Sequence, residues 1–67
     1  MINQFAIRRK DTKQWFECTP FNKPIWNCAF ARIFIDEYSC RERFEELQKL
    51  APEIEMEIVE FHCRIKS

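Results

Sequence analysis

Not one of the chain's 67 residues is glycine. That excludes turns built on glycine's left-handed backbone and every Gly-rich loop that cradles a phosphate. Turns fall instead to Asp, Asn and the three prolines. A chain this short holds one domain, residues 1–67, and buries only roughly 60% of its unfolded surface. Ring area compensates: seven Phe, two Trp and one Tyr each bury on the order of 150–250 Å². This suffices for a folded core but leaves no room for a deep, enclosed active-site pocket.

Residues 2–8 alternate, with Phe5 and Ile7 on one face and Gln4, Ala6 and Arg8 on the other, which predicts a strand. A polar break at residues 9–13 followed by Gln14-Trp15-Phe16-Glu17-Cys18 predicts a hairpin. Trp15 and Phe16 are neighbours on that second strand and point to opposite sheet faces, so one of them lies outside any helix-covered core. Residues 19–27 read as a loop, because Pro20 and Pro24 lack the N–H a ladder needs. Phe21, Ile25 and Trp26 are unusual there: they either fold back over the core or form an exposed apolar patch. Residues 28–35 turn apolar and β-branched again and predict a third strand interrupted only by Arg32.

Asp36 reads as a helix N-cap, with Glu37 in the first turn. Cys40, Phe44, Leu47 and Ala51 line one helical face, with Leu50 beside them. The opposite face carries Arg41, Glu42, Glu45 and Lys49, with i,i+4 pairs Arg41–Glu45 and Glu45–Lys49, and Pro52 ends the helix. Residues 53–65 alternate but change phase. Ile54, Met56 and Ile58 share one parity, while Val59, Phe61, Cys63 and Ile65 share the other. The simplest resolution is a bulge near Ile58-Val59; the alternative is that the strand end enters a different contact. The expected fold is α+β: an antiparallel sheet of three to four strands under one amphipathic helix, in the order β-β-β-α-β.

Net charge is zero, but it is divided. Residues 1–32 carry six Lys/Arg against two acids, a net of +4, and residues 33–67 carry five against nine, a net of −4. The start Met1-Ile2-Asn3-Gln4-Phe5 lacks a basic region followed by a long apolar run, which predicts a cytoplasmic chain and no membrane partner. Cys18, Cys28, Cys40 and Cys63 then read as reduced, buried core thiols. Their wide spacing lacks the tight pair of a structural zinc site. No cofactor is implied. His62 and Cys63 are adjacent on a strand and face opposite sides, so they make no nucleophile–base pair. Glu53, Glu55, Glu57 and Glu60 have no basic or histidine companion nearby in sequence and read as a solvated acidic face. Nothing in the sequence reads as catalytic.

What remains is surface. The leading expectation is a non-enzymatic protein-interaction module using Phe21, Ile25 and Trp26, the exposed member of the Trp15/Phe16 pair, or the acidic residues Glu53, Glu55 and Glu57. The second is single-stranded nucleic-acid binding by sheet aromatics flanked by Arg8, Arg9, Lys10 and Lys13, although zero net charge gives little long-range attraction to phosphates. A homodimer joined through the uncovered sheet face or residues 59–65 is compatible with either.

Phe5-Ala6-Ile7-Arg8-Arg9, the following hairpin with its Trp, and Ala31-Arg32-Ile33-Phe34-Ile35-Asp36 entering a helix together resemble a loose group of small phage and prophage proteins of unknown function. Those proteins usually carry a Gly at the first hairpin, where this chain has Asp11-Thr12. The resemblance implies a small protein in the host cytoplasm whose partner is a larger host protein, a defence or replication factor that it blocks. It assigns no functional residues.

Overall fold

Three consecutive residues of the first strand, Phe5, Ala6 and Ile7, are buried. A strand is buried on both faces and at both edges only when it runs inside the sheet. In the computed structural model, which describes residues 2–63 and the side chains of all of these but Ile2, Asn22, His62 and Cys63, this strand, β1 (Ile2–Arg9), is internal. With β2 (Trp15–Cys18), β3 (Ile25–Asn27) and β4 (Met56–Cys63) it forms one antiparallel sheet of order β3-β2-β1-β4. The helix α1 (Glu37–Leu50) packs across one face. The protein is thus α+β, with the element order β-β-β-α-β. Among the described residues no helix is long and apolar enough to cross a membrane.

The helix forms where the apolar stripe places it. Asp36 Oδ2 accepts from Ser39 N–H at 3.2 Å and from Ser39 Oγ at 3.1 Å, capping the first turn. Cys40 and Leu47 are fully buried, and Phe44 packs at the core's margin. Ala51 caps the C-terminus by donating its N–H to Leu47 O, and Pro52 prevents continuation. The surface ion pairs differ from the expected ones. Arg41 turns back to Glu37 (3.0 Å), one turn toward the N-terminus, and Arg43 reaches forward to Glu46 (2.9 Å), both at spacings that bring side chains together on a helix surface. Under the helix lie Phe5, Ile7, Phe16 and Met56, with Trp26, Phe34, Ile54 and Ile58 around them.

The third strand is not residues 28–35 but Ile25–Asn27, inside the stretch read as a loop. The two prolines explain why both can be true. Pro20 opens a 3-10 turn (Pro20–Asn22), and Pro24 stands just before an edge strand, so neither removes a ladder bond. Residues 28–35 leave the sheet because Asn27 Oδ1 accepts from Ala29 N–H (2.8 Å) and Phe30 N–H (3.3 Å), a side-chain turn that competes with the ladder. The segment then crosses back toward β1. Arg32 N–H donates to Phe16 O, and Phe34 exchanges both backbone bonds with Phe5, each at 2.8 Å.

The bulge expected near Ile58-Val59 does not form. β1 and β4 pair in one unbroken register, from Ile2↔Cys63 to Arg9↔Met56. Met56 and Ile58 therefore share the helix-covered face with Phe5 and Ile7, while Val59 and Phe61 lie on the other face with Ala6. The phase change in the sequence supplies two faces rather than repairing one. The strand also begins later than expected, at Met56; Glu53 and Glu55 precede it.

Leu47→Ala should cost about 2–5 kcal/mol by urea unfolding, whereas Leu50→Ala, at a position 45% exposed, should cost at most about 1 kcal/mol. Equal losses would mean that the helix is rotated about its axis.

Candidate functional site

Adjacent residues Arg8 and Arg9 point to opposite faces of the sheet, and each lies over a tryptophan. Arg8 Cζ is 5.3 Å from the Trp15 ring centroid on the open face, and Arg9 Cζ is 5.6 Å from that of Trp26 on the helix side. Each guanidinium is also held by an acid. Arg8 donates Nε–H and Nη2–H to Glu57 Oε2 at 3.0 and 2.7 Å, and Arg9 forks onto both oxygens of Asp11 at 3.0 and 2.7 Å. The hydrogen bond from Arg8 and its positive charge hold the Glu57 carboxyl below the usual range, with Lys13 and Lys10 adding to the effect. The Asp11 carboxyl is lowered chiefly by its hydrogen bond with Arg9.

This arrangement settles where the basic residues are. Lys10 and Lys13 are exposed on the β1–β2 turn, where Lys13 takes a positive φ of 62°. Arg8 and Arg9 are occupied within the fold. Of the acids, Glu53 and Glu55 are exposed before β4, whereas Glu57 is half-buried against Arg8.

The aromatic residues separate sharply. Phe16 enters the core at 2% exposure, and its strand neighbour Trp15 lies on the open face, 5.6 Å from the Phe61 ring. Trp26 folds back: its ring meets Phe16 edge-on at 6.1 Å. Its Nε1–H is buried with no acceptor among the described residues. Ile25 remains 40% exposed and Phe21 97% exposed. Phe21 also sits at φ 54°, ψ 37°, the left-handed region that a bulky residue rarely occupies. Sequence reasoning missed Phe30, Ile33 and Ile35, all exposed, because it placed residues 28–35 in a strand; Tyr38, exposed as well, lies in the first turn of α1. The signal was Asn27, whose short amide side chain is suited to turning the chain.

The cysteines are corrected in part. Cys40 is buried, and burial, with Glu37 nearby, pushes its thiol up to about 11. Cys18 and Cys28 are exposed, not core thiols, because the strand ends and loop that carry them lie outside the helix-covered layer. The reading of His62 and Cys63 falls on side chains outside the described set. Among the described residues no group of three or more His, Cys, Asp or Glu gathers. Two shallow concavities flank the helix. One, of about 120 Å³, lies by Phe16, Cys18, Arg32 and Arg43; the other, of about 280 Å³, runs between α1 and β4. No family model, curated protein or solved structure matches the chain.

Because the folded Glu57 carboxyl is lowered, the stability it contributes is present above the ordinary carboxylate range and is lost as pH falls through its depressed value. NMR titration should find Glu57 titrating below ordinary glutamates, with Arg8→Gln returning it toward them; an unchanged Glu57 in that variant would remove Arg8 as the cause. In the folded chain a maleimide should modify Cys18 and Cys28 quickly and Cys40 only on unfolding. Fast native labelling of Cys40 would mean that α1 does not seal the core.

Proposed function

We propose that this chain is a non-catalytic protein-interaction module that acts in the cytoplasm on a larger protein. The phage-protein resemblance suggests that this is an inhibitor of a host defence or replication factor. The observation that carries the reading is Phe21. A large apolar ring is held 97% exposed on a left-handed residue. Exposure forfeits the burial a Phe side chain would gain, about 1.5–3 kcal/mol, and the backbone adds strain on the order of 1 kcal/mol. Folding alone gives no return for either, whereas burial against a partner recovers the first. Phe30, Ile33, Ile35 and Tyr38 are further large apolar side chains left exposed.

The ion pairs of Arg8 and Arg9 weigh against single-stranded nucleic acid as the ligand. A guanidinium already spent on Glu57 or Asp11 releases no counterion from a phosphate backbone.

The test pairs a tagged chain with Phe21→Asn, since Asn accepts the left-handed backbone. Both are incubated with lysate of the native host, with and without nuclease. The expected result is one protein retained stoichiometrically by the parent chain in both conditions and lost by the variant. The variant's stability should stay within about 0.5 kcal/mol of the parent's. Retention that vanishes with nuclease would move the reading to Lys10, Lys13 and the basic end; retention by Phe21→Asn would remove Phe21 from the interface.

A further inference from the structure

We infer that the outer edge of β4, with the groove beside it, takes an extended segment of a partner protein as a fifth strand. It goes beyond the contact at Phe21 by naming a second surface, and it rests on the reading of the chain as an interaction module. The backbone phase of the ladder comes first. Phe5 exchanges both its backbone bonds with Phe34, and Arg9 donates to Gln14 O and accepts from Lys13 N–H, so these odd positions of β1 are spent on the side away from β4. Lys10, an even position, donates to Glu55 O at 2.9 Å on the β4 side. Bonded and non-bonded pairs alternate along an antiparallel ladder. Glu57 and Val59, opposite Arg8 and Ala6, therefore turn their backbone groups inward to β1. Met56 and Ile58, opposite Arg9 and Ile7, turn theirs outward.

Among the described residues no strand lies beyond β4, and neither Met56 nor Ile58 meets a backbone partner on that side. Of the usual protections the edge has the charge of Glu57 and Glu60, but Met56–Cys63 contains no Lys or Pro and its register has no bulge. Such an edge offers main-chain hydrogen bonds to an extended peptide.

The groove supplies selectivity. It holds about 280 Å³ between the helix and the strand and is lined by Ile58, Phe44, Gln48, Arg41 and Glu45. Phe44 and Ile58 give it apolar walls, so it suits an apolar side chain. At its rim Arg41 is already held by Glu37 at 3.0 Å, whereas Glu45 has no ion pair among the described residues. The unanswered charge is negative. The occupant is therefore a partner segment with an apolar residue for the groove and a Lys or Arg two residues away, on the same strand face, for Glu45.

The probe is a displayed library of short random linear peptides, panned on the full chain and on Glu45→Lys. The parent should enrich alternating peptides with Lys or Arg two residues from an apolar residue. A selected peptide should shift the amide resonances of Glu45, Gln48 and Ile58 rather than those of Phe21 and Ile33. Glu45→Lys, an exposed change that leaves the circular dichroism spectrum unaltered, should weaken that peptide on the order of tenfold and switch selection toward Asp or Glu. No enrichment, shifts confined to residues 21–38, or selection indifferent to Glu45→Lys would each overturn the fifth strand. A lysate partner lost by Phe21→Asn yet kept by Glu45→Lys would keep the interaction reading and remove only this inference.

Discussion

The ladder between β1 and β4 organises everything else in this small protein. Its eight pairs run without a slip from Ile2↔Cys63 to Arg9↔Met56. Since side chains alternate with a period of two, that register decides at a stroke which residues meet the helix. It sends Phe5, Ile7, Met56 and Ile58 under α1, where Cys40 and Leu47 complete the core. It sends Ala6, Val59 and Phe61 to the other face, where Trp15 meets Phe61. A slip of one residue would put Val59 under the helix and expose Ile58, exchanging the two sets.

The same register places Arg8 opposite Glu57 and so decides how the charges are used. Two adjacent arginines at the end of the central strand serve the two faces separately, each between a tryptophan and a carboxylate. Half-exposed ion pairs of this kind contribute little stability individually. Their larger effect is geometric. They hold the ring faces of Trp15 and Trp26 and withdraw the basic end's arginines from the solvent-facing charge. Outward beside the exposed Lys10, Lys13, Lys23 and Arg32 stand the large apolar side chains Phe21, Ile25, Phe30, Ile33 and Ile35.

The helix was legible in the sequence because three independent signals coincide there: the Asp36 cap, the Cys40-Phe44-Leu47-Ala51 stripe and Pro52. The first hairpin and the division of Trp15 from Phe16 were legible too, since both follow from strand alternation alone. The third strand was not. Pro20 and Pro24 argued against pairing, but a proline harms a ladder only where its missing N–H is needed, and an edge strand starting after Pro24 needs none there. The phase change along β4 was visible, yet its meaning depended on whether the second sheet face had apolar partners. Trp15 supplies one: alternation puts either Trp15 or Phe16 on that face, but the meeting of Trp15 with Phe61 is a tertiary outcome that local pattern could not reveal. Of the candidate site, Phe21 was named as one of three apolar residues in a Pro-rich stretch, but its separation from Trp26 is a tertiary outcome. Trp26 finds Phe16 and Arg9 to pack against, and Phe21 packs against almost nothing.

The register is what the core, the paired arginines and the outward-facing edge of β4 have in common, and native-state hydrogen exchange reads it residue by residue. The amides of Glu57 and Val59, turned toward β1, should exchange slowly, at rates set by opening of the sheet. Those of Met56 and Ile58, turned outward, should exchange orders of magnitude faster. Slow exchange at Ile58 with fast exchange at Val59 would mean that the strand is slipped by one residue, and the faces, pairs and open edge assigned to β4 would all be wrong.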